Sequence, residues 1–300
     1  MQATVCSDKI KENSMKIGIQ EISFRRYGGN YFKKISEYGF TAADYDMCDT
    51  ESELYKMTEE ERKSFLIKTA EMAEEAGVEI YQCHGPWRWP VRDFTPEDRA
   101  ERMEKMKTSI RACSYMGCKN WVIHPIMPMG VNDRGTENEK KTRDMNKAFM
   151  TELLAYAKEY GVVICYENMP MTGLGIGYPL DILRFVEEMN DDNFKICFDI
   201  GHAQVCSSQI SVADAIRRMG DKIACFHVHD NNGWADIHTM PMTGRVDWEE
   251  VCAAIKEIGY RGAFSLECYA ATTLPTEDLY VRLSQIYFEV AKHLVEKIEN

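Results

Sequence analysis

Apolar residues recur along the chain in two alternating rhythms. Runs with apolar positions three and four apart close on a glycine, and short β-rich runs follow within a few residues. The closing points are Glu37-Tyr38-Gly39, Glu75-Ala76-Gly77, Tyr115-Met116-Gly117, Glu159-Tyr160-Gly161, Arg218-Met219-Gly220 and Glu257-Ile258-Gly259. Glycine just past a helix adopts the left-handed conformation that ends it, so each glycine marks a helix terminus. The stretch from Thr95 to Gly117 carries every signal of a helix. Thr95 caps, Pro96 takes the first position, Glu97 and Asp98 suit the positive end, and Met103, Met106, Ile110 and Cys113 form one stripe. Further helices are expected over 57–76, 140–160, 211–219, 247–258 and 275–297, with shorter ones near 29–38 and 179–189.

Strands are expected over 16–22, 41–45, 78–83, 120–124, 162–167, 195–199, 223–229 and 262–267. Eight strands alternate with eight helices. Parallel strands joined by helices need cover on both faces, and eight such units in roughly 250 residues fit a closed barrel better than an open sheet. A doubly wound sheet is the rival, but no GxGxxG follows the first strand and nothing marks a second domain. The expected fold class is α/β, a single (β/α)8 TIM barrel over 15–300. Residues 1–14 are polar and aperiodic and read as a flexible N-terminal tail.

Composition narrows the function classes. With 36 Lys+Arg against 48 Asp+Glu, the formal net charge of −12 argues against a sequence-independent nucleic-acid binder and against a coat on anionic membranes. No run approaches the roughly 20 apolar residues that span a bilayer, and the start lacks a signal-peptide core. The expected location is cytoplasmic. Eleven cysteines include no CxxC pair, and Cys83, Cys165, Cys197, Cys225 and Cys268 lie in apolar runs, so they read as small buried hydrophobes in a reducing compartment.

In a barrel of this kind the chemistry sits at the C-terminal ends of the strands. Strand three ends at His84, four at His124, five at Glu167, six at Asp199 followed by His202, seven at His227 and His229, and eight at Glu267. His238 lies in the long loop after strand seven. Carboxylates and imidazoles crowded at one mouth would repel or desolvate one another, and a bound divalent cation resolves that cost. Glu167, Asp199, His227 and Glu267 supply an oxygen-rich set suited to Mn2+, Mg2+ or Co2+ and tolerable for Zn2+. His84, His124, His202 and His238 would favour Zn2+ if they bind metal as well. His227 and His229, two apart on one strand, are expected to face the same way.

These residues stand in motifs: C-His84-G-P, I-His124-P, Y-Glu167-N, F-Asp199-I-G-His202, F-His227-V-H-Asp230, Asp236-I-His238, Gly244-R-V-D-Trp248 and L-Glu267-C. Together and in this order they resemble the xylose-isomerase-like barrel superfamily. The branch is the one holding sugar phosphate isomerases/epimerases, ketose 3-epimerases and type IV apurinic endonucleases. The resemblance runs from Met15 onward. It implies a carbohydrate isomerase or epimerase with a metal held by Glu167, Asp199, His227 and Glu267. The two glutamates would act as catalytic base and acid beside a metal-polarised carbonyl. His227 rather than His229 aligns as the ligand, because the family's histidine precedes an acidic residue by three, as His227 precedes Asp230. His202 is similar to a substrate-contacting residue, and His84, Trp87, His124, His229 and Arg245 are the other candidate contacts to a small sugar. The endonuclease comparison implies a second reading, a three-zinc phosphodiesterase in which His84, His124, His202, Asp236 and His238 are additional ligands. The negative charge and the scarcity of basic residues on the strand-end loops weigh against that reading. Relatives often form homo-oligomers, and no interface is legible in the sequence.

Other features weigh less. The run TGLGIGY over 172–178 reads as a flexible lid or a phosphate cradle. Met169, Met171, Met240 and Met242 are expected to line an apolar wall on the active-site side, and Trp248 to pack at the start of its helix.

Overall fold

The computed structural model describes residues 14–268 and 276–300. The expected tail therefore lies, apart from Ser14, outside the described residues. The strands are β1 (Lys16–Gln20), β2 (Ala42–Asp46), β3 (Glu79–His84), β4 (Asn120–Ile123), β5 (Val163–Glu167), β6 (Phe194–Asp199), β7 (Ile223–His227) and β8 (Ala263–Leu266). Between them run α1 (Phe32–Glu37), α2 (Glu53–Lys56), α3 (Glu59–Glu75), α4 (Pro96–Tyr115), α5 (Glu137–Glu159), α6 (Pro179–Met189), α7 (Ile200–Val205), α8 (Val212–Met219) and α9 (Trp248–Glu257), and α10 (Glu277–Glu299) ends the chain.

The sheet runs β7-β6-β5-β4-β3-β2-β1-β8. All seven neighbouring pairs in that order are parallel. Val228 closes the ring: its N–H donates to Ser265 O at 2.9 Å and its carbonyl accepts from Glu267 N at 3.0 Å. The result is the expected (β/α)8 barrel.

The helix signals fall where the sequence places them. Thr95 caps α4 by accepting from Asp98 N, with Asp98 returning a bond to the cap backbone, and Thr58 and Glu61 do the same for α3. All six helix-ending glycines have positive φ, from 52° at Gly220 to 101° at Gly39. At Gly39 a side chain is also excluded by space, since a Cβ would lie 2.5 Å from the Phe288 ring.

The core has two layers. Between sheet and helices lie fully buried Trp121, Tyr166, Phe185, Phe194 and Phe264, and the Trp121 indole donates to Ser109 Oγ at 3.0 Å. Inside the barrel, Val122, Cys165, Cys197 and Cys225 form a separate buried cluster. Ten cysteines among the described residues are free thiols; Cys268, expected to be buried, is only half-buried.

Two expectations change. The run TGLGIGY is a packed turn, because Leu174 to Tyr178 are all buried and a Cβ at Gly175 would lie 2.4 Å from the Glu139 side chain. It is therefore neither lid nor phosphate cradle. Strand seven is regular to His227 rather than 229, and beyond it Val228 still bridges Leu266 of β8.

Candidate active site

The strand ends converge on one buried cluster. Glu167 sits at its centre, with Oε1 3.0 Å from His227 Nδ1 and Oε2 3.0 Å from His124 Nε2 and 3.5 Å from His84 Nε2. His227 Nδ1 also lies 3.4 Å from Glu267 Oε2 and 3.9 Å from Asp199 Oδ2. One ring nitrogen is therefore shared by three carboxylates from β5, β6 and the end of β8. A second group stands beside it, in which ligand atoms of His202, His229, Asp236 and His238 lie within 4.8 Å of one another, and His84, His124 and Glu167 form a third group of that kind.

His227 and His229 share Asp199 but otherwise meet different partners. Once the strand ends at His227, His229 turns to Asp199, with Nε2 3.1 Å from Oδ1, and its ring stacks on His238 at 3.8 Å. Neither imidazole has any exposed surface. His229 thus meets carboxylates and rings of the protein instead of facing the cavity as a substrate contact would.

The local sequence explains the placement. Asp199 ends β6 and caps α7, accepting from His202 N at 2.6 Å, which turns His202 back over the barrel. This short helix escaped the sequence reading because Gly201 lowers its helix propensity. Gly201 is required for another reason, since a Cβ there would lie 2.0 Å from the His229 ring. Gly201→Ala is therefore expected to lower stability by about 1–3 kcal/mol through overpacking. Chemical denaturation measures this, and an unchanged midpoint would contradict the packing described. Gly244 plays a similar part, because its Cβ would lie 2.2 Å from Asp230 Oδ1. Asp230 holds the β7 loop by accepting from Trp248 Nε1 at 2.8 Å and Val246 N at 3.1 Å, so the Trp248 indole anchors that loop as well as its own helix.

Sequence reasoning missed three polar side chains beneath the cluster. Asp44 on β2 faces His227 Nε2 at 2.9 Å, Gln82 on β3 donates to Asp44 Oδ2 at 3.0 Å, and Gln20 on β1 donates to Glu267 Oε1 at 3.3 Å. A carboxylate behind an imidazole fixes its tautomer and turns the other nitrogen toward the site. The available signal was Asp44 itself, a carboxylate inside an otherwise apolar barrel strand. Cys48 Sγ, 3.1 Å from His84 Nδ1, was also overlooked.

The electrostatics follow from crowding. Burial opposes ionisation of Glu167, yet His227 and His124 hold its carboxyl well below the usual range. Burial likewise opposes charge on His202, but Asp199, Asp236 and Glu167 carry it up to about 10. At His124 burial prevails over Glu167 and pushes the imidazole down to about 4. Protonated histidines balance the carboxylates in this arrangement, which is the role a bound cation would take. The donor set fits such an ion. Glu167 Oε2 is buried without a hydrogen-bond partner, although two imidazole nitrogens stand near it. A buried carboxylate oxygen aimed into a cluster of oxygen and nitrogen donors is what a divalent cation needs.

Above the cluster opens a cavity of about 460 Å3, walled by His84, His124, Glu167, His202, Asp236, His238 and Glu267 together with Trp87, Trp89, Met169 and Met171. That size is ordinary for a small-molecule site, where roughly 300–1,000 Å3 is usual. Trp87 meets His124 edge to face at 4.5 Å. Arg245 is absent from this wall; it is exposed, with its guanidinium stacked over Trp234 at 4.8 Å. Met240 and Met242 are absent as well, and Met242 is exposed.

Comparison with known proteins shows what the chain as a whole is similar to. An uncharacterized protein of Methanocaldococcus jannaschii is 29% identical over 184 residues, 59% of this chain and 62% of its own length. The D-psicose 3-epimerase of Enterocloster bolteae is 24% identical over 249 residues, 79% of this chain and 75% of its own. This chain spans about three fifths of the length of the first curated relatives it matches. Among solved structures, a D-tagatose 3-epimerase-like protein superposes with a TM-score of 0.74 at 26% identity, over 95% of this chain and 98% of that one. The IOLI protein with a bound zinc atom shares the fold, with a TM-score of 0.70 at 19% identity over 95% and 98%. The xylose isomerase-like TIM barrel family matches residues 32–288, most of the chain and every strand end that builds the cluster, and the chain belongs to that family.

Proposed function

We propose that the protein is a divalent-metal-dependent sugar isomerase or epimerase, with epimerisation of a ketose as its reaction. The observation that carries this reading is the pair Glu167 and Glu267, whose carboxylates reach the same His227 nitrogen at 3.0 and 3.4 Å and both line the one cavity. Similarity to the D-psicose 3-epimerase and to an inosose isomerase of Bacillus subtilis, 24% identical over 179 residues, supports the substrate class.

Glu167, Asp199, His227 and Glu267 would hold the ion, which when bound polarises a substrate carbonyl and lowers the cost of charge developing on its oxygen. Glu167 removes the proton from the carbon beside that carbonyl. Glu267 returns a proton to the opposite face, and the reverse reaction exchanges the roles. Gln20 steadies Glu267, and Asp44 keeps His227 turned toward the carboxylates. Trp87 and Met169 exclude water from the reacting carbon. His84, His124, His202 and His238, which line the cavity, would contact the sugar hydroxyls.

Those same histidines favour the second reading, a three-zinc phosphodiesterase, because two ligand groups flank the central one. Incubating metal-loaded protein with ketohexoses and, separately, with an abasic oligonucleotide decides between them. Interconversion of a ketose with its epimer and intact DNA are expected. DNA cleavage without sugar turnover would sink the proposal.

A further inference from the structure

A second cavity of about 370 Å3 adjoins the first, and Trp87 and Trp89 belong to the walls of both. Trp87 touches His124 on the catalytic side, while the Trp89 ring, 62% exposed, lies 6.4 Å from it. The remaining wall of the second cavity includes Asp49, Glu51, Arg88 and Arg92. An aromatic plane flanked by carboxylates and guanidinium groups offers an apolar face for sugar C–H bonds, with acceptors and donors for hydroxyls around it.

We propose, resting on the sugar-enzyme reading, that the substrate carries a second sugar ring: one ring reacts at the barrel mouth while the other stacks on Trp89. Charge separates this occupant from a phosphate. Asp49 and Glu51 share the wall with the two arginines, and Arg88 is already engaged by Glu101 at 3.3 Å and by Arg92 O at 2.6 Å. A phosphate dianion would face two carboxylates beside Arg92 and an already committed Arg88, so the wall offers it little net positive charge, whereas a neutral glycosyl unit is repelled by neither sign. The loop is held in register for this role, since Trp87 N donates to Cys48 O at 3.0 Å and ties it to the loop after β2.

The test compares D-fructose with its glucosylated forms trehalulose, turanose, maltulose, leucrose and palatinose on metal-loaded protein, with calorimetric binding measured apart from turnover. At least one disaccharide is expected to bind about tenfold more tightly than D-fructose. Trp89→Ala is expected to bring that ratio near unity, and Trp89→Phe to restore part of it. Equal or weaker binding of every disaccharide, or a preference that survives Trp89→Ala, would overturn the second-ring proposal whether or not turnover occurs. Tighter disaccharide binding without turnover of any sugar would leave the second ring in place and overturn the epimerase reading instead.

Discussion

Glu167→Gln is expected to lower ketose turnover by about 10²–10⁴-fold at saturating metal, the usual contribution of one positioned acid or base. Glutamine keeps the shape of the side chain but cannot accept the substrate proton. Glu167 is 1% exposed and its carboxylate stands among His84, His124, His202 and His227, so the charge removed is one the whole cluster is built around. Glu267→Gln is expected to fall by a similar factor, because the proton must be delivered from the opposite side for the configuration to invert. Both variants should keep the barrel's circular dichroism, since each side chain lies at a strand end above the packed interior. Steady-state kinetics across a metal titration separates lost chemistry from lost affinity. A variant that regains more than about a tenth of wild-type turnover at high metal would release that glutamate from proton transfer.

Removal of metal should have the second large effect. Dialysis against a chelator is expected to abolish turnover and lower the melting temperature, with about one equivalent of Mn2+, Co2+ or Zn2+ restoring both. A saturating ion at 100 times its dissociation constant adds about 2.7 kcal/mol of stability. The pH dependence has a fixed sign. Imidazole ligands bind as the neutral form, while burial of His227 is overcome by Glu267 and Glu167, which carry its imidazole well above the ordinary range. Metal uptake near neutral pH therefore releases protons, and affinity falls as pH falls. Uptake of about three equivalents, each needed for activity, would favour the phosphodiesterase arrangement instead.

Much of this was legible in the sequence for a physical reason. Helix ends carry local signals, and Thr95, Asp98 and the six closing glycines act within a few residues of themselves, so their reading survives folding unchanged. The strand-end residues were legible because the barrel rule converts position along the chain into position in space. What escaped depends on contacts distant in sequence. Asp44 is 183 residues from His227, and only closure of the barrel brings them to 2.9 Å. His227 meets Asp44 and Glu167 while His229 stacks on His238, a division that periodicity alone does not reveal. Arg245 lay in a promising motif, but its loop folds outward onto Trp234.

The central claim is proton transfer between two glutamates beside a polarised carbonyl. Its most direct measurement is solvent deuterium incorporation by mass spectrometry and proton NMR during ketose turnover in D2O. Deuterium is predicted at the carbon beside the carbonyl in the epimerised product, at a rate matching turnover, with formation of that deuterated epimer lost in both Glu167→Gln and Glu267→Gln. Epimerised product free of solvent deuterium, or epimerisation that persists in either variant at saturating metal, would contradict it.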